Sequence, residues 1–180
     1  MANQRKPDVM AHRPPHLLIN ETWYFISAHT VGKSPLLYNE EHKSIWCGVF
    51  ESMQERFDVR IAAWVLLDNH YHFLIYFQNA ENLPEFMKRL HGVTSIKLNQ
   101  LDGAQRRVVW YSYWDRFVKD ESDFWTKFNY IHYNPVKHGY VEKPEEWQYS
   151  SFRNILEIEG EDWVDDCWAS YPVVEFDFES

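Results

Sequence analysis

Residues 64–77 read WVLLDNHYHFLIYF. Apolar and aromatic residues crowd both halves, and Asp68-Asn69, a pair favoured in tight turns, divides them. The pattern predicts two strands, residues 58–67 and 71–77, joined as a hairpin. His70 and His72 stand at the start of the second half. Side chains alternate along a strand, so both histidines point to one face and Tyr71 to the other. Two neutral imidazoles at adjacent positions on one face can chelate a cation without ordering a loop. Imidazole suits Zn, Mn, Fe or Cu, whereas a hard ion such as Mg wants added oxygen ligands. His-x-His is also common as a solvated or hydrogen-bonded pair, and the spacing by itself leaves both readings open.

Outward from this hairpin, residues 22–31 (TWYFISAHTV) predict an earlier strand. Asn39 is placed to cap a helix, with Glu40 and Glu41 in its first turn. Ile45, Trp46, Val49, Phe50, Met53 and Phe57 recur at helical spacing and carry that helix to about Arg56. Leu83 to about Leu98 predicts a second amphipathic helix, with Pro84 in its first turn, and Val108 to Val118 a fourth strand. Ser122 or Asp123 would cap a third helix. It would end near Asn134, because Pro135 disfavours helical backbone at the residue before it. Trp147 to Ile155 predicts a short helix.

The order βαββαβ followed by helices matches a ferredoxin-like, split βαβ arrangement in the α+β class. Such a fold has a four-stranded antiparallel sheet with helices on one face, extended here by a C-terminal helical and acidic segment. The first and third strands are central in it, so His70 and His72 would be held mid-sheet on rigid backbone.

The chain of 180 residues is 45% hydrophobic and 18% aromatic, enough for one domain with a real core. Cys47 and Cys167 form no metal-ligand spacing, as expected of free thiols in a reducing compartment. No apolar run approaches the roughly 20 residues of a membrane span, and the first residues lack the apolar core of a signal peptide. A soluble cytoplasmic protein is expected. The net charge of −9 is unevenly spread: residues 155–180 hold nine acids and no Lys or Arg, so the remainder is balanced. Within that remainder, residues 86–119 carry Lys88, Arg89, Lys97, Arg106, Arg107, Arg116 and Lys119 against only Asp102 and Asp115. A basic segment of this kind suggests a polyanionic partner, or else a solvated helix face. The chain divides into a polar arm (residues 1–16), a main domain (17–154) and an acidic tail (155–180).

A second group of functional side chains lies in residues 124–141, FWTKFNYIHYNPVKHGYV. Tyr130 and Asn134 are four residues apart and share a helix face. Asn134 could supply the oxygen that a pair of imidazoles would want, and Tyr130 a phenol near the same ion. Alternatively Tyr130 is a core residue and Asn134 a cap.

The segments AWVLLDNHYHFLI and YIHYNPVKHGYVEKPEEWQYSS resemble the REP-associated tyrosine transposases, relatives of the single-tyrosine enzymes of the His-hydrophobe-His (HUH) endonuclease superfamily. The resemblance runs from Arg13 to Phe152. One departure is Tyr71 at the middle of the triplet, where an aliphatic residue is usual, but that side chain faces away from the histidines. The resemblance implies that His70, His72 and Asn134 bind a divalent metal ion, Mg or Mn, and that Tyr130 is the catalytic nucleophile. It implies residues 17–154 as the catalytic domain, acting near the nucleoid as monomer or homodimer. The implied substrate is single-stranded DNA at repetitive extragenic palindromes (REP), which form imperfect hairpins.

A phenol with an ordinary pKa near 10 is a poor nucleophile at neutral pH, and a divalent ion on the scissile phosphate would assist it. Attack would leave a 5′-phosphotyrosine and a 3′-hydroxyl, and another 3′-hydroxyl could reverse the step. Lys88, Arg89, Lys97, Arg106, Arg107, Arg116, Lys137 and His138, with Arg13 in the arm, are candidate DNA contacts. Trp110, Tyr111, Tyr113 and Trp114 could stack bases, though strand alternation sends about half of them into the core. Two readings of the acidic tail stand open: it folds over the DNA groove and competes with substrate, or it serves only solubility or partner binding. The rival to an enzyme is a silent DNA-hairpin-binding protein.

Overall fold

A computed structural model of the protein describes residues 17–174; the arm with Arg13, and residues 175–180, lie outside the described residues. The elements are β1 (Thr22–Thr30), α1 (Glu40–Phe57), β2 (Arg60–Leu66), β3 (His70–Phe77), α2 (Asn82–Leu101), β4 (Trp110–Phe117), α3 (Glu121–Lys137), α4 (Phe152–Glu159) and α5 (Glu161–Ser170). The sheet runs β2-β3-β1-β4, with every neighbour antiparallel. β1 and β3 are therefore central, as the ferredoxin-like reading expects.

Strand alternation sorts the core into two layers. Tyr24, Ile26 and Ala28 of β1 and Tyr71, Phe73, Ile75 and Phe77 of β3 pack with Trp46 and Phe50 of α1 and Phe86 and Leu90 of α2. On the opposite face Phe25, Val65 and Leu74 meet Phe128, Tyr130 and Ile131 of α3. The pair α1 and α2 covers one face, and the third helix brings the C-terminal extension onto the other. Each fully buried aromatic here contributes roughly 1.5–3 kcal/mol relative to exposure, so both faces of β1 and β3 are committed to packing.

Helix ends differ instructively from the sequence reading. Asn39 caps α1, its side chain accepting from His42 N–H at 2.8 Å. α3 starts earlier than Ser122: Asp120 is its cap, accepting from Asp123 N–H at 2.8 Å, while Asp123 accepts from Lys119 N–H at 3.0 Å. Nor does α3 stop at Asn134. Pro135 sits inside it and forfeits only one hydrogen bond in the last turn. The stop is set by Gly139, at φ 70°, with Gly139 N–H bonding Val136 O and Tyr140 N–H bonding Pro135 O, both at 2.9 Å. This is a Schellman ending, and the extra turn it allows carries Lys137.

Residues 147–151 are not helical, and the last helical pair begins only at Phe152. Ser150 instead bridges Val65, Tyr149 O accepts from Leu66 N–H at 2.9 Å, and Ser151 N–H donates to Trp64 O at 3.0 Å. The segment thus shields the outer edge of β2. From the tail, α5 packs Trp163 on Trp125 and Phe128, and the Asn129 amide donates to the carbonyls of Cys167 and Tyr171 at 3.1 and 2.7 Å. Among the described residues, no helix is long and apolar enough to cross a membrane.

A part-buried titratable contact joins β3 to α2. Tyr71 Oη lies 2.6 Å from His91 Nε2, and the His91 ring stacks on Trp110 at 4.9 Å. Burial pushes His91 down to about 3. Its folded-state value lies below the ordinary one, so the unfolded chain takes up the proton first as pH falls below about 6.5. Stability should therefore decline with acidification from pH 6.5 towards 4. Urea unfolding across that range should show a shallower decline for His91→Gln, by about 1.4 kcal/mol per pH unit.

Candidate active site

The turn before β3 is fixed from several directions. Leu67 N–H donates to His70 O, Leu37 N–H to Asp68 O and Thr30 N–H to Asn69 O, each at 2.8 Å. Lys43, buried at 3% exposure, donates to Asp68 Oδ1 and Leu37 O at 2.6 Å, and its ammonium lies 5.4 Å from the rings of Trp147 and Tyr149. This held turn delivers the two histidines.

Asn69 then sets the chemistry of His70. Its Nδ2 donates to Lys33 O at 2.9 Å, which turns Oδ1 towards His70 Nδ1 at 2.6 Å. An amide oxygen only accepts, so the proton of a neutral His70 belongs on Nδ1 and the lone pair on Nε2. That Nε2 faces Asn134 Oδ1 at 3.1 Å. Two lone pairs aimed at one another suit a cation between or beside them. His72 lies on the same face, its ring 5.2 Å from that of His70, and it is fully buried. Burial first, then His138 and Lys137, pushes His72 down to about 3, which keeps it neutral and able to donate a lone pair. Phe25 stacks on it at 5.4 Å and holds the ring plane. Two imidazoles and a carboxamide fit a divalent ion of mixed nitrogen and oxygen preference. Among the described residues no cluster of three His, Cys, Asp or Glu side chains offers another such place.

Tyr130 comes to the same point from α3. Its ring is 5.5 Å from His72 and 6.1 Å from Phe25, and it is fully buried. Lys137 donates to the phenolic oxygen at 3.4 Å and lies 4.9 Å from the ring centroid. The His138 ring is 4.8 Å from His70. Tyr133, the other tyrosine of this segment, turns away and packs on Trp168 of α5 at 5.9 Å. Helix phase therefore brings Tyr130, rather than Tyr133, to the histidines.

The basic residues scatter. Lys137 and His138 join the site, and Arg116 sits exposed on β4. Lys88 and Arg89 pair with Glu85 on α2, while Arg107 is held by Asp102 at 2.6 Å and Asn99 at 2.9 Å. Lys97, on α2, and Arg106, after it, are exposed. α2 lies across the sheet from the histidines. Sequence reasoning took Asn69 for a turn residue, since turn chemistry says nothing of a side-chain contact to His70, and missed Phe25, which lies outside the two blocks that carry the chemistry.

Residues 24–134 match the model of a transposase family described as IS200-like. The chain belongs to the IS200-like transposase family. The chain is 32% identical over 123 residues to a Haemophilus influenzae protein provisionally named a REP-associated tyrosine transposase. The match covers 61% of this chain and 69% of that one. The REP-associated tyrosine transposase of Escherichia coli is 26% identical over 132 residues, covering 73% and 76%. The fold is like that of a REP-associated tyrosine transposase solved bound to a REP hairpin, with TM-score 0.71 and 18% identity over 92% of this chain and 95% of that one.

The tautomer of His70 is directly measurable. Long-range proton–nitrogen NMR spectra at pH 8 should show His70 protonated on Nδ1, and Asn69→Ala should turn that signal into a mixture of tautomers. An unchanged spectrum would remove Asn69 from the site.

Proposed function

We propose that this protein is a metal-dependent single-stranded DNA endonuclease and strand transferase. It would cleave and rejoin DNA at palindromic, REP-type hairpins through a covalent 5′-phosphotyrosine. The observation that carries the reading is the approach of Tyr130 to His72, 5.5 Å between rings, beside the His70–Asn134 contact. Family membership and the hairpin-bound structural neighbour support the DNA class.

His70, His72 and Asn134 would hold the ion, Mg or Mn. When bound it supplies neutralisation of charge on a non-bridging phosphate oxygen and alignment for in-line attack. The chain's own residues do the rest. Tyr130 Oη forms the new bond to phosphorus as the bond to the 3′ oxygen breaks, and the proton released at the phenol is balanced by one taken up at that leaving oxygen. Lys137, beside the phenolic oxygen, offsets negative charge as the proton departs. It also covers the phenol, and an arriving phosphate gives its ammonium a new counter-charge. Asn69 keeps the Nε2 lone pair of His70 directed into the site. The phosphotyrosine conserves the phosphodiester bond's energy, so a second 3′-hydroxyl can reverse the step and join strands without ATP.

The full burial of Tyr130 beneath Lys137 favours a second reading, a catalytically silent hairpin-binding protein. One experiment separates the two. Labelled single-stranded hairpin DNA with Mg or Mn should give a protein–DNA adduct that survives denaturing gels. Tyr130→Phe should abolish the adduct while leaving DNA affinity within about twofold, since only a hydroxyl is lost. Chelation should stop the reaction and added Mn restore it, and His72→Ala should lower cleavage about a thousandfold, the several kcal/mol such charge neutralisation is worth. Binding without any adduct would establish the silent reading instead.

A further inference from the structure

Four aromatic residues cluster in β4, and the fold divides them. Trp110 is 5% exposed and Tyr113 packs with it into the α1–α2 core. Trp114 pairs with Ser27 of β1, whose partner on β3 is His72, so Trp114 lies on the face of the candidate active site. Tyr111 reaches that face by a different device. The pairing of β1 with β4 shifts register between His29 and Thr30, where Ser112 faces His29 and Trp110 faces Thr30. Tyr111 is the extra residue of this bulge. Its ring lies over that of His29, with centroids 5.1 Å apart and planes within 10°, and it remains 49% exposed. His29 is itself held, Nδ1 lying 2.9 Å from Thr30 O. On its other side His29 is the register partner of His70.

The stacked pair thus stands in the same cross-strand row as a candidate metal ligand, and Trp114 stands in the next row, with His72. α3 packs over β2 and β3. The β4 side of this face retains the exposed Tyr111 and Arg116 and the half-buried Ser112 and Trp114. A supported planar ring with one open side, next to a phosphate-handling centre and beside an exposed guanidinium, suits an unpaired nucleobase.

We propose that Tyr111, backed by His29, is a stacking subsite for an unpaired nucleobase next to the scissile phosphate, with Trp114 continuing the track. This deepens the strand-transfer reading and rests on it. The recognition is by π-face, so it tolerates any base. It supplies what a positively charged groove alone lacks, a fixed position for the strand along the row of His70.

The test uses the full chain carrying Tyr130→Phe, which halts cleavage. The probes are a DNA hairpin with a mixed-sequence single-stranded flank and the same hairpin without it. The flank carries 2-aminopurine at successive positions, because stacking on an aromatic ring quenches its fluorescence. Flanked DNA should bind more tightly, with quenching at one or two adjacent positions. Tyr111→Ala should weaken binding of the flanked probe about 5- to 150-fold and relieve the quenching. Affinity for the flankless hairpin should stay unchanged, and Tyr111→Phe should behave as the parent. Retained affinity and quenching in Tyr111→Ala, with the parent still gaining from the flank, would overturn the subsite alone. If the parent gains nothing from the flank, the strand-transfer reading fails and the subsite with it.

Discussion

Everything at this site depends on the two-residue turn Asp68-Asn69 being unable to move. Backbone bonds from Thr30 and Leu37 and the buried ammonium of Lys43 hold it, and the Asn69 amide spans from Lys33 O to His70 Nδ1. The cation site proposed for His70, His72 and Asn134 would offer two imidazoles and one neutral amide, with no carboxylate among them to draw charge in. Its affinity would come from directing lone pairs in advance, and an Asn69 amide that fixes the His70 tautomer would do this at little cost in ordering.

The same economy explains the two layers of the sheet. β3 gives one face of its alternation to the core of α1 and α2 through Tyr71, Phe73, Ile75 and Phe77, and on the other face Leu74 packs under α3 beside the candidate site residues His70 and His72. A slip of one residue in register would exchange these sets, burying the imidazoles among α1 and α2 and exposing phenyl rings to the site. The Tyr71–His91 contact opposes such a slip, because it gives the buried hydroxyl a partner only in the native register. The polar tyrosine in the middle of the histidine triplet is thus satisfied from the far side of the sheet.

Much of this was legible in the sequence. Period-two apolar runs gave the strands, and the βαββαβ order gave the central place of β1 and β3. The four-residue spacing of Tyr130 and Asn134 placed both on one side of α3. What escaped notice was decided by contacts distant in the chain. Residues 147–151 carry no strand signature, and Ser150 is drawn into a bridge with Val65 because β2 offers an edge there. Pro135 is admitted into α3 because Gly139 supplies a later ending, which a rule about the residue before proline does not weigh. The phase of Tyr133 against Tyr130 became meaningful only when Trp168 of α5 took up the former.

That docking has a consequence for the acidic C-terminal segment. Its charges ride on an element whose other side seals Trp125 and Phe128 and whose carbonyls occupy the Asn129 amide. The segment therefore acts as a lid on hydrocarbon as well as a carrier of negative charge. Chain shortening would unmask an oily seam along α3, the helix that carries Tyr130, and the resulting stickiness would pass for a change in DNA handling. Neutralising the outward carboxylates while leaving Trp163 and Cys167 in place separates the electrostatic contribution of the segment from its role as a cover.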